Sequence, residues 1–392
     1  MTPAEISCGF LPLVDCAPLV VARELGFATE EGVDLNLMRM PSWSSLRDHL
    51  AFGILDAAQM LSPMPVAMSM GLGGAPTKID VLSVLSVNGD VIAASLPLVK
   101  RMRSVGGMDD FADATGVGRA LISAAGRKLR VGAPFPFSMH AELLYYWLNA
   151  LGLESPARLD MRTIPPQKMP DAIAADKIDL FCVGEPWGGY AVASGSAEII
   201  LPGSAIWAFS PEKVLAVRHE DAEHESSARL LRAVWRAGRW LGDPENRLIG
   251  SEILARPEYL NVDAALIERT MMGRPVVNAA GKERKSPRLI EFFDGAATFP
   301  WRSQACWIAS RWAARAGIDQ AEAARIGRAC FRSDIYRSVL GPIGADLPGA
   351  SEKVEGALSI RTPVASSTGE MFLGPDQFFN GLRFEPFGES AR

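Results

Sequence analysis

The chain has 392 residues, of which 48% are hydrophobic and 22% are charged, a composition typical of a folded globular protein. This length predicts two or three folding units rather than one. The formal net charge is −5, and no basic stretch is long enough to follow a phosphate backbone. The sequence therefore argues against direct nucleic-acid binding.

The cysteine pattern and the first residues predict a cytoplasmic protein. No C-x-x-C spacing occurs among the five cysteines, and an odd number of dispersed cysteines is typical of reduced thiols. The start of the chain lacks the basic and apolar regions of a secretory signal. No run approaches the roughly 20 apolar residues of a membrane-spanning helix. We expect a cytoplasmic location without membrane insertion.

In the first hundred residues, strand-like segments alternate with segments of helical periodicity. The predicted strands are Ile6–Leu13, Val33–Met40, Asp56–Leu61, Asp80–Val87 and Val91–Pro97. The predicted helices are Ala17–Leu25 and Ser44–Leu55. This β-α-β order predicts a mostly parallel sheet. The glycine-rich stretch Gly106–Arg127 predicts a loop or a weak helix.

The alternation starts again at Lys128, and helical periodicity dominates from Glu220 to Ser338. The tail 342–392 is rich in Gly, Pro and Ser, which favours irregular structure. We predict an α/β protein with two lobes and a ligand cleft between them. Residues 1–95 and 205–392 would form lobe I with the C-terminal helices, and residues 96–204 would form lobe II.

The sequence lacks the standard motifs of metal and nucleotide chemistry. Its four histidines do not form an H-E-x-x-H motif, and neither a phosphate-binding glycine loop nor a nucleophile elbow is present. We therefore expect no metal, no organic cofactor and no catalysis.

Polar and aromatic residues at strand-to-helix junctions are the candidate site residues. Ligands of open α/β sheets lie beyond the carboxyl ends of the strands, where helix N-termini offer free N–H groups to anions. Backbone N–H groups, neutral amides and tryptophan faces suit a small planar anion. The predicted ligand-binding residues are Trp43, Gln59, Asn88, Ala133, Pro134, Ser138, His140, Glu185 and Trp207.

Structural interpretations compete with this functional one. Asn88 has the chemistry of a turn residue, and Trp43 that of a core residue. Gln59 can be a buried amide whose hydrogen bonds are satisfied, and Ser138 is a natural helix N-cap. Both interpretations stay open at the level of sequence.

Six motifs, taken in chain order, resemble the nitrate-binding protein family, whose relatives bind bicarbonate and alkanesulfonates. The similarity spans about residues 5–340. The motifs are Gly9-Phe10-Leu11-Pro12-Leu13 with Ala17-Pro18-Leu19, Trp43 with Arg47-Asp48, Gln59 with Met64-Pro65, Phe135-Pro136 with Tyr146-Trp147-Leu148, Gly184-Glu185-Pro186-Trp187, and Pro211-Glu212-Lys213.

The resemblance implies a periplasmic-binding-protein type II fold and nitrate or nitrite as the ligand. Without an export signal, the chain is most similar to the cytoplasmic nitrate/nitrite sensors (NasS type). This similarity implies an ANTAR-type RNA-binding antiterminator protein as partner. In the family, a tryptophan at the place of Trp43 and a glutamine at the place of Asn88 hold nitrate. Ala133 and Ala208 stand where the family has a histidine and a lysine, and Ser138, His140 and Lys213 are near enough in sequence to substitute.

Two alternatives remain. One is a soluble substrate-binding protein for another small anion or a sulfonate, serving an ABC-type uptake system. The other is an enzyme similar to the thiamin-pyrimidine synthases of the same superfamily, which carry a cysteine-rich metal motif. The dispersed cysteines of this sequence argue against the enzyme.

Overall fold

The computed structural model describes residues 3–73, 77–108, 110–126, 128–154 and 157–386. Its strands are β1 Ala4–Phe10, β2 Val33–Arg39, β3 Ala57–Leu61, β4 Ile79–Asn88, β5 Asp90–Ser95, β6 Leu129–Ala133, β7 Leu159–Thr163, β8 Leu180–Gly184, β9 Ala197–Pro202, β10 Pro211–Arg218, β11 Ile290–Glu291, β12 Thr362–Pro363 and β13 Phe372–Leu373. Its α-helices are α1 Ala17–Glu24, α2 Phe27–Glu30, α3 Trp43–Ala51, α4 Pro63–Ser69, α5 Leu96–Val105, α6 Ala114–Ala125, α7 Met139–Ala150, α8 Met169–Ala174, α9 Trp187–Ala193, α10 Glu225–Gly242, α11 Arg247–Leu254, α12 Ala264–Met271, α13 Arg302–Ala316, α14 Gln320–Cys330 and α15 Ser333–Leu340.

The first sheet is mixed and has the strand order β11-β4-β10-β3-β1-β2. Strand β1 pairs in parallel with β2 and β3, as the β-α-β order predicts, but the other three strand pairs of the sheet are antiparallel, so the prediction of a mostly parallel sheet is wrong. Strand β10 returns from the second sheet and runs antiparallel between β3 and β4. Every residue of β4 is buried, because helices α4, α10, α14 and α15 pack against it.

The second sheet has the strand order β7-β6-β8-β5-β9. Strand β6 is parallel to β7 and β8, whereas β5 is antiparallel to β8 and β9. Each sheet forms the core of one lobe. We call residues 3–88 and 211–386 lobe I and residues 90–202 lobe II.

The chain passes between the lobes at two places. The first is Gly89, between β4 in the first sheet and β5 in the second. Its φ of 106° is in the region that favours glycine. The sequence-based division put residues up to 95 in lobe I, but Asp90–Ser95 pairs with the second sheet, so this crossover comes earlier. The second crossover runs from Pro202 to Pro211.

Helices dominate the last third of the chain, as predicted. Two further segments were expected to be irregular, Gly106–Arg127 and the tail. Within the stretch expected to be a loop or weak helix, Ala114–Ala125 forms α6, because its apolar face is buried and Asp113 caps its first turn. The described part of the tail, 342–386, is mostly irregular, with only the short strands β12 and β13.

The two lobes are closed on each other. The backbone N–H of Val14 donates to the carbonyl oxygen of Glu185 at 2.8 Å, and the indole N–H of Trp187 donates to the carbonyl oxygen of Pro12 at 2.9 Å. On the other side, Arg315 of α13 forms an ion pair with Glu142 of α7. In the described part of the chain, no helix combines the length and apolar character needed to cross a membrane.

Candidate functional site

The closed cleft contains a lysine, Lys213, whose side chain is fully buried. It belongs to β10, and its ammonium nitrogen lies 2.8 Å from Asp15 Oδ2 and 2.8 Å from Glu212 Oε1. Burial opposes the positive charge, but the two nearby carboxylates prevail and raise the pKa of Lys213 above its usual value. Lys213 is therefore a fixed positive charge inside the protein.

Asp15 is held in place by Gln59. Asp15 lies in the short 3-10 turn that follows β1, and Gln59 lies on the neighbouring strand β3. The Gln59 amide nitrogen donates to Asp15 Oδ1, while its amide oxygen accepts from the backbone N–H of Leu11 at 2.9 Å. Because both ends of the amide are engaged, Gln59 acts through the position of Asp15.

Lobe II contributes His140 and Asp90 to the same cluster. His140 lies in the first turn of α7, and its Nδ1 is 3.2 Å from Glu212 Oε1 of lobe I. Asp90 begins β5, and its Oδ2 accepts from the Cys182 thiol at 3.3 Å. The His140–Glu212 contact joins the two lobes, so the cluster is complete only when the cleft is closed.

The buried surroundings set the protonation of these groups. Burial raises the pKa of Glu212 to about 8, although the charge of Lys213 opposes this rise. Burial also raises the pKa of Asp90. Burial, followed by repulsion from Lys213, lowers the pKa of His140 well below its usual value. At neutral pH, His140 is uncharged and Glu212 is mainly protonated, so that the Glu212 carboxyl can donate a hydrogen bond.

Several polar atoms of the cluster have no hydrogen-bond partner among the described residues. These buried atoms are Trp43 Nε1, His140 Nε2, Asp90 Oδ1 and Glu212 Oε2. An unsatisfied buried polar group costs about 1–3 kcal/mol, so several together indicate a place for a ligand. The Trp43 ring centre lies 5.4 Å from the Lys213 ammonium and provides an apolar wall.

Gly184, at the end of β8, lies close to the cluster. A Cβ atom at this position would lie 3.0 Å from a methyl of Leu13, 3.3 Å from Asp15 Oδ2 and 3.8 Å from His140 Nε2. A side chain at residue 184 would therefore crowd Asp15 and His140.

Two of the predicted ligand residues, Asn88 and Ser138, have structural partners outside this cluster. The Asn88 amide nitrogen donates to the carbonyl oxygens of Ala208 and Arg288 at 3.1 and 3.0 Å, and its oxygen accepts from Ser210 N–H at 3.2 Å. Asn88 thus joins the two crossovers. Ser138 caps α7 by accepting from Ala141 N–H at 3.2 Å.

Trp207 packs in an aromatic group with Trp307 and Phe378, with ring centres 4.8 and 4.7 Å away. It therefore holds the C-terminal segment rather than lining the cluster around Lys213.

Glu185 faces a different cavity. Its carboxylate accepts from Gly189 N–H at 2.9 Å at the start of α9, and burial raises its pKa to about 7. It lines a cavity of about 140 Å³ together with residues of α9, α12 and the segment 275–281. Ala133 and Pro134 are buried at the end of β6, and Ala133 accepts from Ile164 N–H through its carbonyl oxygen.

The sequence predicted Trp43, Gln59 and His140 as ligand residues and offered Lys213 as a substitute for a missing family residue, but it did not point to Asp15, Asp90 or Glu212. The signal for Glu212 was visible, because Glu212 and Lys213 are adjacent charged residues followed by an apolar stretch of the same strand. The resemblance implies a histidine and a lysine where this chain has Ala133 and Ala208. The cluster contains the same two residue types at other positions, His140 and Lys213.

One trio of the cluster has the composition of a metal site. Ligand atoms of Asp90, His140 and Glu212 lie within 4.8 Å of one another. However, the Lys213 ammonium is 2.8 Å from the Glu212 carboxyl, so a metal ion at this trio would meet a like charge there.

Two α/β lobes closed over a buried cluster of unpartnered polar groups define a ligand-binding protein. The chain belongs to the NMT1-like family, whose sequence profile matches residues 1–255. The family resemblance predicted from the sequence is thereby confirmed.

Curated relatives have transport or binding names. The chain is 31% identical to the nitrate import ATP-binding protein NrtC of Synechocystis sp. over 80% of the chain and 46% of the relative. It is 36% identical to the bicarbonate transport ATP-binding protein CmpC of Synechococcus elongatus, over 67% of the chain and 39% of the relative. The chain thus spans about half the length of these proteins or less. The nitrate/nitrite binding protein NrtA of Nostoc sp. is 28% identical over 96% of the chain and 82% of the relative.

A solved structure confirms the predicted fold. The crystal structure of the periplasmic nitrate-binding protein NrtA from Synechocystis PCC 6803 superposes with a TM-score of 0.83 and 25% identity, covering 98% of this chain and 96% of that one. The chain therefore has the periplasmic-binding-protein fold.

Proposed function

We propose that the chain binds nitrate or nitrite in the closed cleft and acts as a cytoplasmic sensor of these anions. The observation that carries this proposal is the buried Lys213 ammonium, with the unpartnered Trp43 indole N–H on one side and His140 on the other. Nitrate and nitrite are small planar anions that only accept hydrogen bonds. A fixed positive charge, N–H donors and an aromatic wall suit such a ligand. The names of the relatives support the choice of nitrate.

Isothermal calorimetry with nitrate, nitrite, bicarbonate, sulfate and an alkanesulfonate tests the ligand. We expect nitrate or nitrite to bind and the larger anions to fail. Trp43→Phe keeps an aromatic wall but removes the N–H donor, which costs about 1–3 kcal/mol and weakens binding roughly 5- to 150-fold. Trp207→Phe is the matched control, because this buried tryptophan packs in the aromatic group outside the cluster. Preferential binding of a sulfonate would favour the uptake-protein alternative.

The sensing part of the proposal concerns a partner protein. The unliganded chain would hold an ANTAR-type RNA-binding antiterminator and release it when the anion closes the lobes. A ligand shifts such an equilibrium only by its differential affinity for the two states. A coupling of about 1–3 kcal/mol suffices, and an acidic chain complements a basic RNA-binding partner.

Co-purification followed by a nitrate titration on a sizing column tests the release. We expect the wild-type complex to separate at saturating nitrate and the Lys213→Met complex to persist, because the variant lacks the fixed positive charge. A wild-type complex that is unchanged by nitrate and nitrite would refute the sensor. Cell fractionation with a cytoplasmic marker tests the proposed location.

A further inference from the structure

The cluster in the cleft contains more acidic groups than its lysine can balance. Asp15, Glu212 and Asp90 surround Lys213, and the formal net charge is −2 if all three carboxyls are ionised. In the part of the chain that the structure describes, Lys213 is the one lysine or arginine that pairs with any of them. Asp15 and Glu212 both lie 2.8 Å from the Lys213 ammonium, and burial raises the pKa of Asp15 while Lys213 and the Gln59 amide oppose this rise. Because Asp15 also accepts the hydrogen bond from Gln59, which favours its ionised form, we count Glu212 and Asp90 as the groups in excess.

The other titratable neighbours do not supply a positive charge. His140 from α7 is uncharged at neutral pH, since burial and Lys213 lower its pKa. Cys182 from β8 donates its thiol hydrogen to Asp90, and burial raises the pKa of that thiol. An anion that enters the cluster while Glu212 and Asp90 are ionised therefore meets net negative charge in a site shielded from water.

We propose that nitrate or nitrite binds together with protons. The anion binds beside Asp90 and Glu212 only when both carboxyls are protonated, because each then donates a hydrogen bond to the ligand. This inference rests on the proposed function and adds its regulation by pH. Glu212 Oε2 and Asp90 Oδ1 are buried and lack a protein partner, and as protonated oxygens they would supply two donors. The protons come from solvent, and no covalent bond of the ligand changes.

The direction of the pH dependence follows from proton linkage. Burial raises the pKa of Glu212 to about 8 in the closed cleft, and a bound anion raises it further. Below that pKa the carboxyl of the closed cleft is already protonated, so the affinity of the closed form is independent of pH. Above it, binding takes up a proton, and the affinity falls about tenfold per pH unit for each ionised carboxyl. Lys213 remains charged, because its own pKa is raised.

Calorimetry with nitrate from about pH 6 to about pH 9.5, in two buffers with different ionisation enthalpies, tests this inference. Nitrate stays ionised over this range, so any proton uptake belongs to the protein. For the wild type we expect constant affinity at the acid end, a loss of about tenfold or more per unit at the alkaline end, and proton uptake there. Glu212→Gln and Asp90→Asn each replace a carboxyl by an amide that does not titrate, and each should make the slope shallower.

Glu185→Gln is the matched control. Glu185 is also a buried carboxyl with a raised pKa, but it lies against α9, outside the cluster. We expect this variant to keep the wild-type slope. The proton-uptake measurement on the wild type needs no variant, so the test stands even if one substitution impairs folding.

The possible results separate the two proposals. If nitrate and nitrite fail to bind at every pH, the proposed function is wrong. Binding with constant affinity and no proton uptake up to the alkaline limit would overturn the proton coupling and leave anion binding intact. The proton coupling would also be wrong if Glu212→Gln and Asp90→Asn both kept the wild-type slope of affinity against pH. It would be wrong as well if Glu185→Gln removed that slope.

Discussion

Two buried clusters of the molecule are built from the same residue types, a lysine between two carboxylates. In the cleft, Lys213 lies between Asp15 and Glu212. In lobe I, the largely buried Lys353 contacts Glu355 at 2.5 Å and also pairs with Asp376. The lysine and its two nearest carboxylates are therefore alike in composition in the two clusters.

Their hydrogen bonds separate them. In the Lys353 cluster, Ser303 Oγ donates to Glu355 Oε1 at 2.6 Å, and Leu358 N–H donates to Asp376 Oδ1 at 2.8 Å. The cluster thereby ties the C-terminal segment to α13. The cleft cluster instead keeps unpartnered oxygens on the carboxyls of Asp90 and Glu212 and an unpartnered Nε2 on His140. A satisfied buried network stabilises a fold, whereas an unsatisfied one is typical of a binding site.

The largest effect we expect is a loss of stability when the satisfied cluster is broken. Lys353→Met leaves Glu355 and Asp376 buried without their counter-ion. Removing one partner of a buried ion pair costs about 3–5 kcal/mol. Urea denaturation should show a loss of this size in the free energy of unfolding. Lys100→Met, at an exposed lysine of α5, is the control and should change it by less than about 0.5 kcal/mol. A Lys353→Met protein as stable as the wild type would remove the distinction between the clusters.

The next effect concerns the ligand. In the wild type, nitrate at about one hundred times its Kd should add about 2.7 kcal/mol to the free energy of unfolding. Lys213→Met should lose this gain, because the anion loses the fixed positive charge of the cluster. Lys353→Met should keep the nitrate-dependent gain although its free energy of unfolding without nitrate is lower, since Lys353 lies outside the cleft. Thermal melts of each variant with and without nitrate measure the gain. An equal nitrate gain in the Lys213 variant would contradict the site.

The fold could be predicted from sequence, because periodicity and family motifs are local or sequential signals. Helix α6 was harder to predict. Gly116 and Gly118 disfavour a helix, yet tertiary packing requires a residue without a side chain there. A Cβ on Gly118 would lie 2.9 Å from Trp147 Nε1 and 2.2 Å from a methyl of Leu151. Packing against α7 thus overrides the local propensity.

The candidate site was only partly predictable. Trp43 and His140 follow from the rule that ligands lie at strand-to-helix junctions. The acidic residues could not be inferred, because Asp15, Asp90 and Glu212 are far apart in sequence and meet only through the two crossovers. Their chemistry depends on burial, which the sequence does not give for a single aspartate or glutamate.

The smallest effect we expect tests whether the two clusters are coupled. Tyr146 lies on α7, the helix that carries His140, and its hydroxyl donates to Asn380 Oδ1 at 2.6 Å. Asn380 follows Asp376, which is anchored to Lys353 in lobe I. This hydrogen bond therefore links lobe II to a segment fixed on lobe I, and opening of the cleft would break it.

Tyr146→Phe should lower the free energy of unfolding of the nitrate-bound, closed protein by about 1 kcal/mol, the usual net contribution of such a hydrogen bond. In the proposed function the unliganded cleft is open and lacks this bond, so nitrate affinity should fall about fivefold by the same free energy. Asn380→Ala removes the acceptor and should have a similar effect, and the double variant should add little to either single one. A stability loss with unchanged nitrate affinity would mean that the hydrogen bond survives opening, and the Lys353 cluster would then stabilise the fold without influencing the site.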